Sequence, residues 1–125
     1  FSTDGGANYI ATNYGYVFFQ GIDTPSINGF GNGNNTQINF CATSANTQIG
    51  NGATEGWHGT VKILAQTSTA FWPRISVHGS FVNSSSNTTH ITGSGTQETA
   101  VDVDALRFFF SSGNITYVYR IYGMP

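Results

Sequence analysis

Ile75-Ser76-Val77-His78-Gly79-Ser80-Phe81-Val82, followed after a polar turn by Thr88-Thr89-His90-Ile91-Thr92, is the stretch that decides the fold. In the first run Ile75, Val77 and Phe81 recur at a period of two and point to one side, while Ser76, His78 and Ser80 point to the other. Both runs are rich in β-branched and aromatic residues, and Asn and Ser between them supply turn chemistry, so they read as a hairpin. A turn centred near Ser84 sets Ile91 against Val77 on the buried face and His78 directly against His90 on the outer face. Two facing imidazoles have the geometry to share a metal. A stable site wants a third or fourth ligand, however, and His58 stands far off in sequence beside Trp57, so the pair reads as surface histidines and not as a metal site.

The same pattern extends outward. Residues 14–20, 37–43, 60–66, 106–111 and 117–122 are further strand candidates, with buried faces expected at Ile38, Phe40 and Ala42, at Val61, Ile63 and Ala65, and at Tyr117, Tyr119 and Ile121. Alternation then points Cys41 away from Phe40 with Asn39. Free cysteine is usually buried, so that second side is expected to be covered by a loop or a neighbouring subunit. The window 96–112 lacks Gly and Pro and fits a helix through Val101, Ala105 and Phe108. Val101 and Val103 instead alternate with Asp102 and Asp104, and Leu106, Phe108 and Phe110 continue in the opposite parity, as in a strand broken by a bulge. Residues 21–36 and 44–56 read as long loops, where β domains carry binding. The whole predicts one all-β domain over 1–125, an antiparallel β-sandwich or jelly roll of seven or eight short strands.

Composition narrows the function classes. Of 125 residues 38% are hydrophobic but only 8% charged, against a usual ~25%, and the formal net charge is -2. Lys62, Arg74, Arg107 and Arg120 are scattered, which argues against a nucleic-acid groove, and no apolar run approaches the ~20 residues of a membrane-spanning helix, so no membrane insertion is expected. The single Cys41 forms neither an internal disulfide nor a cysteine-based zinc site.

No catalytic set emerges. Asp102 and Asp104 are the one close acid pair, about 7 Å apart if on a strand, between the separations of retaining and inverting glycosidases. Their alternating context marks a solvated face and not the desolvated cleft such chemistry needs. Nucleophile-elbow, phosphate-loop and zinc-protease motifs are absent, so neither an enzyme nor a cofactor is expected. Asn34, Asn83, Asn87 and Asn114 begin glycosylation sequons, which arise easily by chance in a chain this rich in Asn, Ser and Thr. Trp57 and Trp72 lie at loop-to-strand junctions; with Tyr14 and Asn51 they are the candidate contacts for a glycan or receptor, since sugar C–H groups pack on rings and amides bind hydroxyls. The competing role for the tryptophans is to plug the open ends of a sandwich.

Three segments resemble a family of tailed-bacteriophage structural proteins, the minor tail and tail-fibre proteins. They are Phe1-Ser2-Thr3-Asp4-Gly5-Gly6 with Tyr9, Ile49-Gly50-Asn51-Gly52, and Ala105-Leu106-Arg107-Phe108 through Ser111-Ser112-Gly113-Asn114-Ile115 to Arg120-Ile121-Tyr122-Gly123. In order and spacing they cover nearly the whole chain, and the last is the most specific. Tyr117 and Val118 depart from it, standing where the family has a small polar pair. The resemblance implies a non-enzymatic virion component of an extracellular particle, whose partners are other virion proteins, copies of itself in a threefold fibre, and a cell-surface glycan. It also implies that this is the C-terminal part of a longer chain, with strands before Phe1 whose loss leaves an edge open to pairing. The rival classes are a free carbohydrate-binding, lectin-like module and a capsid decoration protein.

Overall fold

The computed structural model describes residues 1–24, 26–41, 48–50, 52–53, 55–64, 69–111 and 116–123. Five strands, β1 (Tyr14–Ile22), β2 (Ser26–Asn35), β3 (Trp57–Leu64), β4 (Arg74–Val82) and β5 (Thr88–Gln97), form one antiparallel sheet in the order β2-β1-β5-β4-β3. Among the described residues there is no helix, and so none long and apolar enough to cross a membrane.

The hairpin that decides the fold forms, and Ile75, Val77, Phe81 and Ile91 are buried on one face as expected. Its register differs from the expected one by two residues. His78 pairs with Thr92 and Ser80 with His90, so Ile91 meets Gly79 rather than Val77. The cause is the turn. Asn83 Oδ1 accepts from the backbone N–H of Ser85 at 2.9 Å and of Asn87 at 3.0 Å, and Ser86 takes a left-handed φ of 60°, so five residues close the loop and its centre moves to Ser85. A two-residue slip preserves parity, so both histidines keep the outer face and their rings meet diagonally, 4.8 Å between centroids.

Residues 21–36, expected to be a loop, are largely β2. Its Gly and Asn content disguises it, but its backbone ladder with β1 is continuous from Ile22↔Ser26 to Tyr16↔Asn32. Residues 37–41 are not a strand: the chain bends at Phe40 and Cys41, so alternation fails and Ile38, Phe40 and Cys41 all pack against the same core. Ala42, Thr43 and Ala65, placed on strands by the sequence reading, lie outside the described residues. The strands expected at 106–111 and 117–122 have no ladder partners in their described parts, and Tyr117, Tyr119 and Ile121, expected to be buried, are exposed.

Phe18, Ile75, Val77, Phe81 and Ile91 form the buried cluster. Ile38, Phe40, Cys41 and Ile49 from the connecting segments cover it, together with Trp57, Val61 and Ile63 of β3. The other face of the sheet carries His58, Thr60, Lys62, Ser76, His78, His90 and Thr92 toward solvent, with Val17, Phe19 and Ile27 at the β1–β2 side.

Ser2 and Ala105 form an antiparallel bridge that brings together two of the three segments carrying the family resemblance. Buried Ser2 Oγ donates to Asp4 Oδ1 at 2.7 Å and accepts from Gly6 N at 3.0 Å. Gly5 N donates to Asp104 Oδ2 at 2.9 Å, and Gly5 and Gly6 take the positive φ this turn requires. Asp104 of the acid pair is thus a turn acceptor, and both Asp102 and Asp104 are exposed.

The N–H of Asn8, then Ser2 Oγ and the Asn8 amide, hold the Asp4 carboxyl at about 2, below its usual range. A carboxyl depressed on folding contributes fully above the ordinary aspartate range of ~4 and is lost as pH falls through its folded value. The amide resonances of Gly6 and Asn8 are therefore expected to keep their folded shifts at pH 3 and move only as pH falls through about 2; movement centred near pH 4 would contradict the turn.

Close approach sets a second expectation. A Cβ on Gly79 would sit 2.7 Å from the His58 carbonyl and 2.9 Å from the Trp57 ring. Gly79→Ala is expected to destabilise the chain by about 1–3 kcal/mol, read as a lower urea midpoint at unchanged slope; an unchanged midpoint would refute this packing.

Candidate functional site

Strand β2 departs from its ladder at one place. Tyr14 pairs with Asn35 and Tyr16 with Asn32, so Gly33 and Asn34 together face the single residue Gly15. This is a β-bulge, and Asn34 adopts a left-handed φ of 55°, a conformation asparagine tolerates better than most residues. The bulge bends the strand end and re-aims its side chains. Next to it, Gly31 passes so close to β1 that a Cβ there would lie 2.6 Å from the Tyr16 carbonyl.

A cleft of about 380 Å³ results, lined by Tyr16, Phe30, Gly31, Asn32, Asn35, Asn39 and Cys41. Its polar groups are organised. The Tyr16 hydroxyl accepts from Asn39 Nδ2 at 3.2 Å and from Asn35 Nδ2 at 3.4 Å, and Asn39 Oδ1 accepts from Gln37 Nε2 at 2.6 Å. With both acceptor positions engaged, the phenol O–H remains as a donor. Tyr16 and Phe30 are positioned by Phe18, whose ring lies 6.0 and 5.8 Å from theirs. The lining holds aromatic faces, primary amides and a hydroxyl, and none of its described residues is acidic or basic. Such a set suits a neutral, hydroxyl-rich ligand, with amides for hydroxyls and rings for C–H faces.

The residues proposed from sequence are not brought together here. Tyr14 is buried against the Phe1 ring, 6.0 Å between centroids, so it presents no face to solvent. Trp57 lies half-buried over Gly79 on the core side of the sheet, and its Nε1 is buried with no hydrogen-bond partner among the described residues. Trp72 is half-exposed beside the similarly exposed Phe71, away from the cleft lining. Asn51 lies outside the described residues. Of the sequon asparagines, Asn83 is fully buried in its turn. Sequence reasoning passed over the cleft because an Asn-Gly run reads as a loop; the signal available was Phe30, a lone aromatic within that run.

The outer face has a second hollow of about 320 Å³, lined by Thr60, Lys62, Ser76, Val77, His78 and Thr92. The three histidines gather on this face, with Ser80 Oγ 3.2 Å from His58 Nε2 and Ser80 itself opposite His90. Among the described residues no three His, Cys, Asp or Glu side chains are grouped so that they could hold a metal ion. Comparisons with protein-family models, curated proteins and solved structures find no match to this chain.

Cys41 forms part of the cleft wall, and burial pushes its thiol up to about 11, partly offset by a hydrogen bond from the Ile49 backbone. The thiolate is the reactive species, so at pH 8 Cys41 is expected to react with a thiol reagent on the order of 100-fold more slowly than an unhindered cysteine of pKa ~8.5. Labelling at the free-thiol rate would show that the wall is open.

Proposed function

We propose that this chain is a structural and adhesion domain of a phage tail or tail fibre, and that its cleft between β1 and β2 contacts a neutral cell-surface glycan. The observation that carries the adhesion reading is the cleft itself: the Tyr16 phenol held by the amides of Asn35 and Asn39, beside the ring of Phe30, with no charged side chain among the described residues of the lining. The virion reading rests on the three segments similar to tail proteins, two of which meet at the Ser2–Ala105 bridge. A chain 8% charged and rich in Asn, Ser and Thr supports an extracellular particle that stays hydrated through amides and hydroxyls. In this reading the domain is non-enzymatic and its partners are other virion proteins and the glycan. In this reading its sheet is one layer of a sandwich or jelly roll, and the packing of Ile38, Phe40 and Ile49 on the buried face of the sheet supports it.

A glycan array followed by titration tests the adhesion reading. Neutral glycans are expected to bind with millimolar or tighter affinity, and Asn39→Ala or Tyr16→Phe to weaken binding about tenfold, the loss of one organised hydrogen bond, at unchanged thermal stability. Binding that depends on Trp72 and not on the cleft favours the sugar platform beside Phe71; absence of binding at millimolar concentration refutes glycan adhesion. Electron microscopy of the intact particle tests the remainder: the tail position is expected, and a capsid position would make this a decoration protein.

A further inference from the structure

Residues 106–111 and 117–122 carry a strong strand pattern, yet they have no ladder partner among the described residues. Their mounting is firm at one end only. Ala105 is bridged to Ser2, the Arg107 guanidinium lies 4.5 Å above the Tyr9 ring and 4.8 Å above the Phe109 ring, and the Phe108 ring lies 6.3 Å from that of Phe40. Beyond this base, every apolar or aromatic side chain in 117–122 faces water, and so do Phe108, Phe109 and Phe110; exposure runs from 42% at Phe110 to 94% at Val118.

The area decides what this means. At about 200 Å² for a full aromatic side chain, these exposures leave on the order of 1,000 Å² of mostly apolar surface in solvent. The largest apolar patch on a typical monomer is ~300–600 Å², and a stable protein interface takes ~800 Å² from each partner. This segment alone therefore offers the area of an interface. Within 117–122, Tyr117, Tyr119 and Ile121 alternate with Val118 and Tyr122, so as a strand this part is apolar on both faces and Arg120 is its one charged residue. A strand of that kind is stable only when covered on both sides and paired at its edges.

We propose that residues 106–111 and 117–122 are the assembly element of the chain, pairing as β-strands with the same segments of other copies in a closed homo-oligomer. Two observations favour another copy as the occupant. The segment offers almost no charge with which to select a partner of complementary charge. Its own apolar area matches what each side of such an interface contributes. The inference goes beyond the adhesion reading and does not depend on it, since no ligand takes part.

Sedimentation of the chain at rising concentration, with and without Val118→Asp and Ile121→Asp together, is the test. Both side chains are exposed in the single chain, so the double variant is expected to keep its far-ultraviolet circular dichroism while changing from oligomer to monomer at about 100 µM. In the unaltered chain, amide hydrogen exchange over 117–122 is expected to slow at least about tenfold between ~1 and ~100 µM as assembly proceeds. That second measurement stands even if the variant fails to fold. A chain that stays monomeric at about 100 µM overturns the proposal and leaves the segment to a different partner or to another part of the same protein. An oligomer unaffected by the two substitutions, or one whose 117–122 amides exchange as freely as those of the monomer, overturns it as well.

Discussion

The ring of Phe18 is the contact through which the rest of the molecule is assembled. It is fully buried at the middle of β1, directly opposite Phe30 of β2 on one side and Gly93 of β5 on the other. A Cβ at Gly93 would collide with the Phe18 ring and with the β1 backbone, so the ring occupies space that only glycine leaves. From there the aromatic contacts run outward. Phe18 meets Tyr16, Phe30 and Phe40 at 5.8–6.0 Å, and Phe40 meets Phe108 at 6.3 Å. The sheet, the covering segment, the cleft and the base of the C-terminal segment are thus tied through one side chain. Truncating it would leave a cavity with neighbours on four elements, the situation in which large-to-small changes cost most.

Using that face for the core leaves the other face of the sheet open. It is kept soluble by short hydroxyls and imidazoles in cross-strand rows, such as His58, Ser80 and His90 across β3, β4 and β5. On the β1–β2 side, where β2 offers this face Ile27 and then glycines, the Phe19 ring lies against Gly29 and covers backbone that a side chain would otherwise shield. At the margin of the covered face, beside the bulge at Gly33 and Asn34, the amides of Asn35 and Asn39 meet the Tyr16 hydroxyl.

What was legible in the sequence follows from where each element gets its stability. Strands β4 and β5 carry alternation and β-branched residues of their own, so their faces were readable, and only the turn chemistry of Asn83 and Ser86 displaced their register. Strand β2 holds three glycines, Gly29, Gly31 and Gly33, and four asparagines, Asn28, Asn32, Asn34 and Asn35; such residues have the weakest strand preference, and the ladder with β1 overrides it. The C-terminal segment is the reverse case, since 117–122 has an evident strand pattern but no ladder partner among the described residues, and pattern alone does not supply hydrogen bonds. The cleft was out of reach because it depends on a bulge, and Cys41 was oriented wrongly because alternation ends where the chain bends at Phe40. Trp57 and Trp72 were visible as aromatics near strand ends, but the packing of one over Gly79 and the exposure of the other depend on neighbours distant in sequence.

The bridge between Ser2 and Ala105 has a mechanical consequence. Ser2 N donates to the Ala105 carbonyl at 2.9 Å and Asp104 N to the Ser2 carbonyl at 3.0 Å, so the two ends of the folded body are joined directly. Tension entering the chain near Phe1 and leaving past Arg107 passes across this short clasp before it reaches any strand of the sheet. The five strands hang beside the line of pull as a side loop, and the clasp must open before they bear load. Until the clasp opens, the cleft between β1 and β2 keeps its shape under such a load.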